Sequence, residues 1–212
     1  MIRSDNEVIW RPARIYIPAW QFSGLDYEAT TANDIKSMGT GAANDTAIAE
    51  INTSGVTALN MITTNSVEHL LALPYDMDIS KNIYFRVYWT ANNTSGSAIW
   101  TILYKKFVAG TTVLGTAVAA TALDTTIASQ TMAGTAYTLM QTAEGVLKPA
   151  ASAIAENVEM LQLDVSPALT TITTASFLGL EIRYTPKRMW GPDGMFQEAK
   201  VKTYIASKLE AN

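Results

Sequence analysis

The run Ile83-Tyr-Phe-Arg-Val-Tyr-Trp89, followed through the turn-forming Asn92-Asn-Thr-Ser-Gly-Ser97 by Ile99-Trp-Thr-Ile-Leu-Tyr-Lys105, decides the fold class. Both runs alternate with period two. Ile83, Phe85, Val87 and Trp89 share one face, and Tyr84, Arg86 and Tyr88 the other. In the second run Trp100, Ile102 and Tyr104 oppose Ile99, Thr101 and Leu103. Alternating β-branched and aromatic residues, bounded by Asn, Ser and Gly, specify strands. The spacing predicts a long antiparallel hairpin at the centre of an all-β sheet.

Working outward, further strands are expected at 55–62, 67–73, 113–119, 137–141, 158–165 and 177–184. Pro74, Pro167 and Pro186 are expected to stop the strands before them. In the last strand Leu178, Leu180, Ile182 and Tyr184 are placed on one face, with Glu181 and Arg183 on the other. About eight antiparallel strands at this spacing suit a sandwich or barrel, and no βαβ alternation is present. Residues 1–24 read as an extended N-terminal arm, because Pro12 and Pro18 exclude a helix there. Residues 25–185 form the β domain and 186–212 a C-terminal tail. In the tail Asp193 could cap a helix over 195–209, with Val201, Ile205 and Leu209 as a narrow apolar stripe.

Composition limits the function. A chain of 212 residues is long enough to bury a sizeable core without metal or disulfide, and it contains no cysteine. The net charge of −4 argues against nucleic acid as a partner. No apolar run approaches the roughly 20 residues of a membrane span, so no membrane partner is expected. The N-terminus lacks a signal-peptide core, which makes a protein kept without export the default expectation. Threonine is abundant, at 27 residues, and from Val108 to Ala143 the only charged residue is Asp124. Two readings fit that stretch: Thr-rich strands and loops of the chain's own sandwich, or a surface covered by another subunit, since interface cores are depleted of charge.

Candidate chemistry is sparse. His69 is the only histidine, so the familiar zinc sets are excluded and a structural role is expected. Asp76 and Asp78 read as turn residues, because the calcium-loop pattern does not continue past them. Pairing of Glu156 with Glu159, or of Glu144 with Asp164, as a glycosidase site would depend on spatial separation. Gly39-Thr-Gly41 lacks the strand and helix of a dinucleotide site. No catalytic residue, cofactor or metal is expected, and the chain is not expected to be an enzyme. Trp89 and Trp100 belong to the expected core. Trp10, Trp20 and Trp190 lie in the terminal segments, where buried aromatics would dominate a partner interface. With Arg11, Arg14 and Tyr16, they form the expected partner-binding set.

Leu73-Pro-Tyr-Asp-Met-Asp78, the two Trp-bearing strands, and Leu178-Gly-Leu-Glu-Ile-Arg-Tyr184 together resemble the structural jelly-roll proteins of tailed bacteriophages. In that group a Leu-Pro-x-Asp turn leads into paired Trp-bearing strands, and a late Leu-Gly-(Leu/Val)-Glu-Ile-x-Tyr strand closes the domain. The resemblance covers about 55–184. It implies a jelly-roll β-sandwich and a virion structural protein assembled in the host cytoplasm. The expected role is a capsid decoration (cement) protein on the capsid surface, a homotrimer bound to the major capsid protein. The alternative it implies is a head-fibre or tail-tip module binding a host surface glycan, with Tyr75, Asn92 and Asn93 as candidate contacts.

Overall fold

A computed structural model describes residues 12–24, 47–63, 65–113, 118–152, 154 and 158–186. The strands are β1 (Ala13–Pro18), β2 (Ser23–Gly24), β3 (Ala47–Glu50), β4 (Thr57–Met61), β5 (Val67–Ala72), β6 (Ile83–Ala91) and β7 (Ser97–Phe107). They continue as β8 (Thr121–Ala122), β9 (Gln130–Thr131), β10 (Met140–Gln141), β11 (Gly145–Leu147), β12 (Met160–Thr170) and β13 (Ala175–Tyr184). A single 3₁₀ turn, Ala19–Gln21, joins β1 to β2. Two antiparallel sheets face each other. The first runs β10-β6-β13-β4-β3, with β1 beside β13 and β11 beside β6; the second runs β2-β5-β12-β7-β8, with β9 also on β7. The steps β4 to β5, β5 to β6, β6 to β7 and β12 to β13 each change sheet. The protein is an all-β jelly-roll sandwich.

The expected central hairpin does not form. β6 pairs with β13, β10 and β11, while β7 pairs with β12, β8 and β9. Residues 92–96 therefore cross from one sheet to the other. The alternation is as read: Ile83, Phe85, Val87 and Trp89 are buried, as are Ala98, Trp100, Ile102 and Tyr104. Period two fixes which face is buried but not which strand lies alongside, and these two faces meet across the core. The Trp89 and Trp100 rings are 6.1 Å apart, Trp100 and Phe177 5.6 Å, and Phe177 and Phe22 5.0 Å. Trp89 Nε1 donates to Gln130 Oε1 at 3.1 Å, which satisfies the polar end of a buried indole.

Pro167 does not end its strand; β12 passes through it, paired with Trp100. β5 accompanies β12 only as far as Val165, so Pro167 has no strand neighbour on that side. The N–H of Leu169 is met there by Thr63 Oγ1 at 3.2 Å, and period two aims the donorless nitrogen of Pro167 the same way. In β13 the register with β6 shifts between Phe177 and Gly179. This bulge puts Phe177, Leu180, Ile182 and Tyr184 in the core and turns Leu178 to the outer face.

The described part of the expected arm is built into the sandwich. β1 pairs with β13 from Ala13↔Tyr184 to Pro18↔Gly179, and Ile17, Ala19 and Phe22 are buried. The extended conformation was legible, but the apolar Ile17 and Phe22 find a groove in the chain's own sheets. The low-charge stretch is likewise used by the chain itself. Residues 121–147 run from the free edge of β7 to that of β6 and bury Leu123, Ile127, Met132 and Met140. This covers two open edges that would otherwise invite association. Residues 113, 118 and 119 lie outside any strand, and of 137–141 only Met140–Gln141 pairs. The expected tail helix, Trp190 and Gly39-Thr-Gly41 lie outside the described residues.

Candidate functional site

The outer face of the first sheet carries a trough of about 660 Å³. Its floor is made by β6 and β13, whose outward residues Tyr88, Thr90 and Glu181 line it together with Leu178 at the bulge. Tyr16 of β1 forms one wall. Tyr137 and Leu139, just before β10, form the other, and Ile51, Asn52, Ser54 and Val56 of the β3–β4 connection close the end. Without the bulge Leu178 would point into the core, so the trough depends on that register shift.

The aromatic side chains are held in place. Tyr16 donates its hydroxyl to the Leu178 carbonyl at 3.0 Å, and its ring meets Tyr88 edge-on at 5.9 Å. Tyr88 donates to Glu181 Oε2 at 3.0 Å. Burial pushes both phenols above their ordinary range; for Tyr88 the hydrogen bond to Glu181 and that carboxylate's charge act in the same direction. Both therefore remain neutral donors at any ordinary pH. Glu181 is only 8% exposed, and Arg14 approaches it at 3.9 Å from the rim. Gly179 is required beneath Tyr16: a Cβ there would lie 2.7 Å from the Tyr16 hydroxyl and 2.6 Å from the Ile17 carbonyl oxygen.

Tyr137 adopts φ +59°, and Asn52, facing the same trough, φ +53°. Left-handed backbone is tolerated by asparagine but is costly for a bulky side chain. The Tyr137 conformation is held by its N–H bond to the Ala91 carbonyl at 2.8 Å. Thr138 on its other side is fixed by Thr90 Oγ1 donating to its carbonyl at 2.7 Å. Beyond Tyr137 the surface opens into a second, polar depression of about 370 Å³, which shares Ile51, Asn52 and Tyr137 with the trough. Asn60, Asn92 and Asn93 line it.

Of the sequence-predicted contacts, Tyr16 lies in the trough and Arg14 at its rim, both on a paired strand. Trp20 is 60% exposed on the 3₁₀ turn. Trp10, Arg11 and Trp190 lie outside the described residues. Asn92 and Asn93 adjoin Tyr137, whereas Tyr75, 82% exposed, sits at the opposite end of β6. His69 Nδ1 lies 3.1 Å from the Gln21 carbonyl oxygen, and its ring packs on Phe22 at 5.2 Å. Asp76 accepts from the Tyr184 hydroxyl, and Asp78 from Ser80. Glu144 takes Arg86 and Arg183 on the outer face of the first sheet, while Asp164 lies beside Glu68 on the outer face of the second. They stand on opposite sides of the sandwich and cannot flank one bond; Glu156 lies outside the described residues. Among the described residues, no group of three or more acidic or histidine side chains is placed to hold a metal ion. Sequence reading missed Tyr88 and Tyr137; the signal available for Tyr88 was its outward phase in β6.

No family model and no curated protein matches the chain. Among solved structures, a xylan-binding module, CBM15, is similar at 10% identity and TM-score 0.44, over 84% of this chain and 99% of that one. The CBM22-1 xylan-binding domain of Paenibacillus barcinonensis Xyn10C is similar at 13% identity and TM-score 0.39, over 70% and 86%. A non-crystalline cellulose-specific module, CBM28, is similar at 11% and 0.34, over 66% and 78%.

Proposed function

We propose that the protein is a recognition module that binds a glycan in the tyrosine-lined trough without transforming it. The convergence of Tyr16, Tyr88 and Tyr137 from three separate segments onto one groove carries this reading. Ring faces carry negative quadrupolar charge and pack well against the C–H faces of sugar rings. Glu181 supplies an acceptor, and Asn52 both a donor and an acceptor, for hydroxyl groups. Tyr16 and Tyr88 are already hydrogen-bonded in position, so little side-chain freedom is lost on binding. The volume lies in the range of small-ligand sites. Affinity electrophoresis against a panel of soluble polysaccharides tests it: at least one gel should retard the protein, and Tyr137→Ala should abolish the retardation. Retardation by none, or unchanged retardation of the variant, overturns the proposal.

A virion decoration role is the second reading, favoured by Trp20, a large indole exposed on the 3₁₀ turn. In that role Arg14, Tyr16 and Trp20 would seat a homotrimer on the major capsid protein, and repeated weak contacts would add by avidity. Copy number in purified particles tests it. Hundreds of copies in fixed ratio to the capsid protein support decoration, and absence from the particle overturns it.

A further inference from the structure

We infer that the ligand is an uncharged linear polysaccharide lying across both depressions, with Tyr137 as the ring between two groups of subsites. This rests on the glycan reading above and commits it to a chemical class and a length. The two depressions adjoin and share Ile51, Asn52 and Tyr137 in their walls. Their chemistry differs: the trough is aromatic and aliphatic, the depression rich in carboxamides. A carboxamide donates and accepts at once, as a sugar hydroxyl does, so asparagines suit a neutral hydroxylated chain. Asn60 is fixed by accepting from Ser176 at 2.9 Å.

Among the described residues, charge disfavours an acidic chain. The ionisable groups of opposite sign to an anion are lacking: no lysine or arginine lines either depression among the described residues, and each holds one carboxylate, Glu181 or Glu50. Arg14 lies at the rim, already turned to Glu181. A uronate or sulfate entering the trough would meet the buried carboxylate of Glu181, where like-charge repulsion is less screened than in water. The length follows from the strand. Tyr88 and Asn92 are four residues apart along β6 and its end, about 13 Å at strand rise, more than one sugar ring spans. The strained backbone of Tyr137 sets its ring at the junction, where a continuous chain must pass.

The test is calorimetric titration of the full chain with cello-, xylo- and manno-oligosaccharides from disaccharide to hexasaccharide, and with oligogalacturonates as the acidic counterpart. Affinity for one neutral series should rise at least about ten-fold with length. Asn92→Ala combined with Asn93→Ala should remove that rise, and oligogalacturonates should not bind. Both asparagines are at the surface, and unchanged unfolding of the double variant verifies the fold. Flat length dependence, or tight oligogalacturonate binding, overturns this inference alone. No binding of any oligosaccharide overturns the glycan reading beneath it.

Discussion

Replacing Gly179 by alanine should break the joint between the sandwich and the trough. The new Cβ would stand 2.6 Å from the Ile17 carbonyl oxygen, 2.7 Å from the Tyr16 hydroxyl and 2.8 Å from Tyr16 Cζ. The first of these is backbone, so β1 must move away from β13 at Pro18↔Gly179. Overpacking of this kind costs ~1–3 kcal/mol. The φ of +155° adds a further ~1–3 kcal/mol for a residue with a side chain. A loss of about 3 kcal/mol is a large share of the ~5–15 kcal/mol that holds a typical domain together. Gly110→Ala is the control: φ is +71° but nothing lies within 4 Å of its Cβ, so only the backbone term of ~1–2 kcal/mol applies. Urea unfolding followed by tryptophan fluorescence, fitted with a shared slope, gives both values. Equal losses at the two positions would refute the claim that β1 is locked against the bulge.

Phe22→Ala should cost ~3–5 kcal/mol, because the ring is buried between Phe177 and His69; an unfolding midpoint equal to wild type would restore a free arm. For the same reason a chain lacking residues 1–24 should lose stability as well as binding. Asp164 is pushed above the usual aspartate range by burial first and then by Glu68, with Lys105 opposing. An acid whose folded pKa is raised costs stability where it is ionised, and the cost fades as pH falls through the folded pKa toward the ordinary 3.8. Asp164→Asn should therefore raise the unfolding midpoint at neutral pH and lose that advantage in acid; destabilisation at neutral pH would contradict the assigned cause.

The burial of the sandwich was legible in the sequence because side-chain period is local. The inward sets of β6 and β7 were read correctly from alternation alone. Pairing was not, since two strands with matching inward faces look the same whether they lie side by side or face each other across a core. Pro167 misled for a related reason: whether a missing donor matters depends on the length of β5, a distant strand. A bulge changes phase without an obvious local mark, so period two alone puts Leu178 on the face of Leu180, Ile182 and Tyr184. Tyr16, a contact residue on the expectation of an arm, lines the trough from a paired strand. Tyr137 could not be recognised, because its position is set by the left-handed backbone and by Ala91 and Thr90 from another part of the chain.

The most direct test of the central claim is mapping of backbone amide shifts in the isotope-labelled protein during titration with a neutral oligosaccharide that retards it. The account predicts saturable changes concentrated at Tyr16, Asn52, Tyr88, Tyr137 and Glu181, extending to Asn92 with longer chains. Changes centred instead on the outer face of the second sheet, around Leu70, Ile99 and Asp164, or an absence of change at saturating ligand, would contradict it.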